Sequence, residues 1–204
     1  NGGIFNSMLK KGAIADMEKR GIEWIFIGSV DNILLKLVDS LLLGLTVSEG
    51  NQIGTRTVLK RDPEERVGVL CKQNNKIKVI EYTEVPKEMR VATDEAGEFL
   101  YGESHIMCNL FSLEAIEKAS TKELKYHVAV KKIKYIDENG KLVNPTEPNC
   151  YKFETFIFDS FLKLDNMEIL RGKREEEFAP VKNKEGVDSP ETALKLYKAY
   201  YNLK

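Results

Sequence analysis

Apolar and polar positions along this chain fall into short runs of two periods. Positions 24–30 are apolar except for Gly28 and Ser29, and are rich in β-branched and aromatic residues. That pattern predicts a buried strand that stops at Asp31. A run of this kind fits the middle of a parallel sheet covered on both faces. Ahead of it, Leu9, Ala13 and Met17 recur at helical spacing and Gly21 suits a C′ position, so one helix is predicted to lead into the strand. Leu34, Leu35 and Val38 predict a short helix after Asn32, and positions 41–47 a further strand. Gly54, Thr55 and Arg56 read as a strand or turn segment leading into Thr57, Val58 and Leu59.

The second half carries clearer punctuation. Strands over 67–72 and 76–81 are joined by Gln73, Asn74 and Asn75, and asparagine tolerates the positive φ of a hairpin turn. Positions 106–111 form an apolar strand, and Ser112 caps a helix carrying Leu113 and Ile116. Positions 137–141 make another hairpin turn. Positions 152–164 read as a helix with Phe153, Phe156, Ile157 and Phe161 on one side, followed by a strand over 167–170. Ser189 and Pro190 start a last helix that presents Ala193, Leu196, Tyr197 and Tyr200. Helices alternating with strands predict an α/β domain.

Composition narrows the class. The 204 residues hold 31 basic and 32 acidic side chains, a net charge of −1, which gives no reason to expect nucleic acid or an anionic membrane as partner. Cys71, Cys108 and Cys150 have no Cys-x-x-Cys spacing, which argues against a disulfide framework or zinc site and for a reducing cytosol. The most apolar stretch, 33–45, is interrupted by Lys36, Asp39 and Ser40 and is too short to span a bilayer. No signal peptide is visible, and a start inside a loop motif without Met suggests the C-terminal part of a longer protein.

Candidate chemistry gathers at strand ends. Asp31 follows the 24–30 strand, and ligands of open α/β sheets collect at the carboxyl ends of strands. A carboxylate there holds Mg²⁺ against a phosphate or caps a helix starting at Ile33. Asn1, Gly2 and Gly3 open a helix, where a glycine-rich backbone approaches a ligand closely. Glu81 ends its strand, either accepting from sugar hydroxyls or facing solvent as an edge residue. His127 is a ligand, a base or a structural histidine near a helix end.

The blocks Asn1-Gly2-Gly3, Met17-Glu18-Lys19-Arg20-Gly21-Ile22, Val30-Asp31-Asn32, Val67-Gly68-Val69 and Val79-Ile80-Glu81-Tyr82-Thr83-Glu84 keep an order known elsewhere. They are followed by His127-Val128-Ala129, Phe156-Ile157-Phe158-Asp159 and Glu177-Phe178-Ala179-Pro180-Val181-Lys182-Asn183. Together they resemble the eukaryotic-type UDP-sugar pyrophosphorylases, nearest the UDP-N-acetylglucosamine branch. The resemblance implies a mixed, mostly parallel sheet of a nucleotide-diphospho-sugar transferase domain, Rossmann-like and related to the GT-A fold. It implies residues 1–184 as the C-terminal part of that catalytic domain and 185–204 as a helical segment.

The implied reaction joins UTP and N-acetylglucosamine 1-phosphate into UDP-N-acetylglucosamine and pyrophosphate in the cytoplasm, with Mg²⁺ as cofactor. Asp31 and Lys182 carry over as catalytic residues, Asp31 also as metal ligand. Asn1, Gly2, Asp31 and Asn32 carry over to UTP, and Gly68, Glu81, His105, Phe156 and Phe158 to the sugar. His105 stands where that branch has the asparagine of an Asn-Ala-Gly-Asn segment; here the segment is Gly102-Glu103-Ser104-His105. The glycine-rich nucleotide loop of the family has no counterpart in 1–204, so this stretch alone is expected to be inactive. Other readings are a glucose 1-phosphate uridylyltransferase, a non-catalytic UDP-sugar-binding domain, and a glycosyltransferase, which would need Asp-x-Asp where Val30-Asp31-Asn32 stands.

Overall fold

The computed structural model describes residues 1–164 and 166–204. Two short helices open it, α1 (Ile4–Lys10) and α2 (Ala13–Lys19), instead of the one expected. Gly12 between them takes φ 75°, a left-handed conformation that ends α1 and turns the chain. The break brings Phe5 and Ile14 into the core and leaves Leu9 of the predicted stripe exposed. Gly21, at φ 68°, closes α2 as expected.

The strand β1 (Trp24–Gly28) follows. Asn32 bridges to Pro180, positions 33–34 turn and 35–38 are irregular, so the predicted helix does not form, and 41–47 lie inside a helix, α3 (Ser40–Ser48), not a strand. Its residues are apolar all round, so period alone could not separate the two; Asp39 decides it by accepting from the Leu42 N–H at 3.0 Å as N-cap.

Next come β2 (Ile53–Leu59), the hairpin β3 (Val69–Gln73) and β4 (Lys76–Ile80), and the short helix α4 (Lys87–Val91). Asn74 and Asn75 take φ 49° and 64°, as the hairpin required. The long strand β5 (Glu103–Ser112) leads through its Ser112 cap into α5 (Leu113–Ser120). Then β6 (His127–Lys131), the hairpin β7 (Tyr135–Ile136) and β8 (Leu142–Val143), and β9 (Cys150–Glu154) follow. The predicted 152–164 helix is therefore split into a strand that pairs with β6 and a 3₁₀ helix (Ile157–Lys163). The chain ends with β10 (Glu168–Arg171), α6 (Arg174–Glu177) and α7 (Pro190–Tyr200).

The main sheet runs β10-β2-β5-β3-β4, with β1 also on β5. It is mixed, as expected, yet among the described residues only β2–β10 is parallel. Ten residues of β5 reach along two partners, β1 near Ser112 and β3 at Ser104. β1 is thus neither central nor parallel; it pairs antiparallel with β5 and is half-buried throughout. Phe5, Ile14, Phe111, Ile116, Ile157 and Phe161 form the largest core, between α1, α2, α5, the 3₁₀ helix and one sheet face. Ile53 of β2 joins that core, whereas its neighbour Gly54 abuts Thr46 and Leu42 of α3, so α3 covers the other face. No helix of the described residues is long and apolar enough to cross a membrane.

Candidate active site

A cleft of about 760 Å³ opens along the β3–β5 side of the sheet. Asn1, Gly68, Glu81, His105, Phe156, Phe158 and Lys182 all line it, although they are spread from one end of the chain to the other. Gly2, Asp31 and Asn32 do not.

The apolar wall comes from the 3₁₀ helix. Phe156 and Phe158 stack with ring centres 4.9 Å apart, 14° from parallel. Asn1 fixes the start of this segment, its Oδ1 accepting from the Ile157 N–H at 2.8 Å. Gly2 packs directly behind it: a Cβ there would lie 2.7 Å from the Thr155 carbonyl carbon. Gly2 therefore allows a close backbone approach to Thr155 and Phe156, outside the lining of the cleft.

The floor comes from β5, which is irregular at its centre. Its pairing with β2 jumps from Cys108–Arg56 to His105–Thr57, and Met107 takes φ 54°. His105 and Met107, two residues apart on this strand, both line the cleft. His105 is buried between Phe158 and Phe161, and burial pushes its pKa down to about 4, so the ring is neutral near neutrality. Its Nε2 lies 3.0 Å from Asn109 Oδ1, while Asn109 Nδ2 faces the Met107 sulfur at 3.6 Å. With the amide held that way, Nε2 carries the proton and Nδ1 is the acceptor.

The polar wall comes from the β3–β4 hairpin. The Gly68 carbonyl accepts from the His105 N–H at 2.9 Å. A Cβ on Gly68 would meet Val79 Cγ1 at 2.8 Å and Glu81 Oε1 at 3.7 Å. Glu81 sits beside it, its pKa raised by burial and by the nearby Glu84 carboxylate, with the Tyr82 N–H, His127 and Lys182 acting the other way.

Lys182 stands on the rim, its Nζ 3.4 Å from the Arg66 carbonyl and 5.3 Å from the Phe178 ring centre. Asp31 lies next to this segment: its carbonyl accepts from the Val181 N–H at 2.8 Å, and its carboxylate accepts from the Ser29 hydroxyl. Asn32 is buried, and its side chain is spent on backbone. Nδ2 donates to the Glu177 carbonyl at 2.8 Å and Oδ1 accepts from the Ala179 N–H at 2.9 Å. This clamp ties the end of β1 to the segment carrying Lys182.

Sequence reasoning missed the charged mouth, where Arg61, Glu64 and Arg66 line the cleft together with Tyr82, Asn183 and Asp188. Asp62-Pro63 marked only a turn, and the signal available was the charge density of 60–66 directly before Val67-Gly68. No local signal announced Met107.

The family model described as UTP–glucose-1-phosphate uridylyltransferase matches residues 1–201. A human UDP-N-acetylhexosamine pyrophosphorylase-like protein 1 is 42% identical over 199 residues, covering 95% of this chain and 39% of that protein. A Saccharomyces cerevisiae UDP-N-acetylglucosamine pyrophosphorylase is 34% identical over 205 residues, 97% of this chain and 43% of its own. A solved Entamoeba histolytica structure assigned as a UDP-N-acetylglucosamine pyrophosphorylase superposes with a TM-score of 0.87 at 35% identity, covering 98% of this chain and 50% of that one. The chain thus spans about half or less of the length of the relatives it matches.

Proposed function

The chain belongs to the UTP–glucose-1-phosphate uridylyltransferase family, and from that premise we propose that it supplies the sugar side of a site joining UTP to N-acetylglucosamine 1-phosphate. The observation that carries this reading is the convergence of Gly68, Glu81, His105, Phe156, Phe158 and Lys182 on one cleft.

Each wall has a matching part of the sugar phosphate. The stacked Phe156–Phe158 pair offers apolar surface to a methyl group, as an N-acetyl substituent has. Glucose 1-phosphate would leave that wall without a partner. Glu81 accepts hydrogen bonds from ring hydroxyls, and the neutral His105 offers Nδ1 as a second acceptor. Lys182 is a mobile point charge at the rim, suited to phosphate oxygens.

In the reaction a phosphate oxygen of the sugar phosphate attacks the α-phosphorus of UTP. A new P–O bond forms, the bond to the β-phosphate bridging oxygen breaks, and pyrophosphate leaves with that electron pair. No group on the protein becomes covalently attached. The residues here act by positioning and by offsetting charge.

Among the described residues no cluster of three or more His, Cys, Asp or Glu is gathered for a metal. A single carboxylate beside the Lys182 segment suits Mg²⁺, which takes one or two carboxylates and fills its remaining positions with water and substrate phosphates. Asp31 would hold it, and the ion would stabilise charge on the phosphates.

The test is pyrophosphate release by the full-length protein with UTP and three sugar phosphates: N-acetylglucosamine, N-acetylgalactosamine and glucose 1-phosphate. Turnover should be higher with the acetylated sugars, and Glu81→Ala should lower kcat/KM for the sugar phosphate more than for UTP. Preference for glucose 1-phosphate, or a Glu81→Ala defect confined to UTP, would refute the assignment of the walls.

A further inference from the structure

His127 stands behind the sugar wall, outside the lining of the cleft, with both ring nitrogens engaged. Nδ1 lies 2.8 Å from Glu84 Oε1, and Nε2 lies 3.0 Å and 3.1 Å from the two oxygens of Asp159. A carboxylate only accepts, and a neutral imidazole carries one N–H. Two carboxylates facing the two nitrogens therefore require the doubly protonated ring.

The two partners belong to different walls. Glu84 closes the turn after β4 that carries Glu81, its N–H donating to the Glu81 carbonyl at 2.8 Å. Asp159 belongs to the 3₁₀ helix and accepts from the Phe156 N–H at 3.3 Å. The imidazole also packs edge-on against Phe156 and Phe158, at 5.0 Å and 6.3 Å between ring centres. We propose that His127 is a positioning residue for the sugar: as an imidazolium it locks the Glu81 turn to the Phe156–Phe158 segment and so sets the width of the pocket. This role rests on the reading of the cleft as a sugar site.

The charge balance around the ring favours the cation. Besides Glu84 and Asp159, the groups nearby are Glu81 and, across the β6–β9 ribbon, Glu154, which is paired with Lys152 at 2.8 Å. Lys131 lies at the far end of β6. Burial opposes the charge, but the hydrogen bonds to Glu84 and Asp159 outweigh it and raise the His127 pKa above its usual value. The clamp is complete below that raised pKa. It is lost as pH climbs through it, when one carboxylate comes to face a lone pair.

The experiment measures KM for N-acetylglucosamine 1-phosphate and for UTP, and UDP-N-acetylglucosamine binding by calorimetry, in the full-length protein across neutral to alkaline pH. The UDP-sugar is included because its diphosphate has no group titrating near neutrality. Wild-type protein should bind the sugar more weakly as pH rises through the His127 pKa. His127→Gln should raise KM for the sugar phosphate roughly tenfold below that pKa, the scale of one lost charge-assisted hydrogen bond, with UTP affected far less. Its pH dependence should be flat over the same range. Glu84→Gln removes one leg at a partly exposed carboxylate, so the fold tolerates it even if His127→Gln does not fold. It should move the wild-type transition to lower pH. Active wild-type protein with an unchanged sugar KM in His127→Gln, or an unmoved transition in Glu84→Gln, would overturn this role alone. Absence of both turnover and UDP-sugar binding in the wild type would overturn the sugar-site reading, and this role with it.

Discussion

Replacing Asn32 by alanine separates two accounts of one residue. Its side chain is 4% exposed and holds the Glu177 carbonyl at 2.8 Å and the Ala179 N–H at 2.9 Å, with the Leu34 N–H a weaker third at 3.3 Å. Alanine removes both partners of that clamp and leaves a buried carbonyl and a buried N–H without hydrogen bonds. Each orphaned buried group costs about 1–3 kcal/mol, so a loss of roughly 2–6 kcal/mol of stability is expected. Urea unfolding of the full-length protein should show a lower midpoint at an unchanged slope, the signature of lost stability without altered compactness. Turnover should fall as well, because the loosened 177–182 segment carries Lys182, and KM for UTP should not be singled out. If Asn32→Ala instead left the urea midpoint in place and raised KM for UTP alone, Asn32 would be a nucleotide contact and the clamp argument would be wrong.

Three further outcomes follow from the same geometry. Gly68→Ala would press its Cβ onto Val79 Cγ1 at 2.8 Å; overpacking of this kind costs about 1–3 kcal/mol, so a lower urea midpoint and a raised KM for the sugar phosphate are expected together. His105 is neutral when folded, its pKa depressed by burial to about 4. The unfolded chain therefore takes up the proton first, so this contribution to stability is whole above the ordinary histidine value. It drains away as pH falls toward about 4, and urea midpoints of wild type and His105→Asn should converge over that range. Asp39→Ala removes the α3 cap and the carboxylate paired with the Arg56 guanidinium, leaving Arg56 to Glu177 at 3.6 Å. Because Arg56 keeps Glu177, the loss should fall below the roughly 3–5 kcal/mol of a fully orphaned buried charge but reach at least the roughly 0.5–2 kcal/mol of a lost cap, and thermal melting should show it.

The elements that were legible in the sequence are those governed by near neighbours. Ser112 and Ser189 cap their helices because a hydroxyl reaches an N–H three residues on, at 3.1 Å and 3.4 Å. Asn74 and Asn75 turn the β3–β4 hairpin because asparagine accepts positive φ. The ordered family blocks likewise contain Asn1, Gly68, Glu81, Phe156, Phe158 and Lys182, which meet in the cleft, because matching motifs carry over a shared fold without any need to derive it.

Tertiary contacts decided the rest. Positions 41–47 are apolar at every phase, so they suit a buried strand as well as a buried helix, and the Asp39 cap and the packing of α3 on Gly54 chose the helix. The phenylalanines at 153, 156 and 161 have helical spacing, yet pairing with β6 drew Cys150–Glu154 into a strand. β1 looked central because it is apolar, but its partner is settled by the length of β5, which no local window contains. The bulge at Met107, the spending of Asn32 on Glu177 and Ala179, and the two-sided grip on His127 all join residues far apart in the chain. Such pairings depend on which surfaces remain unburied after each element has formed, and that is a property of the packed molecule, not of any segment.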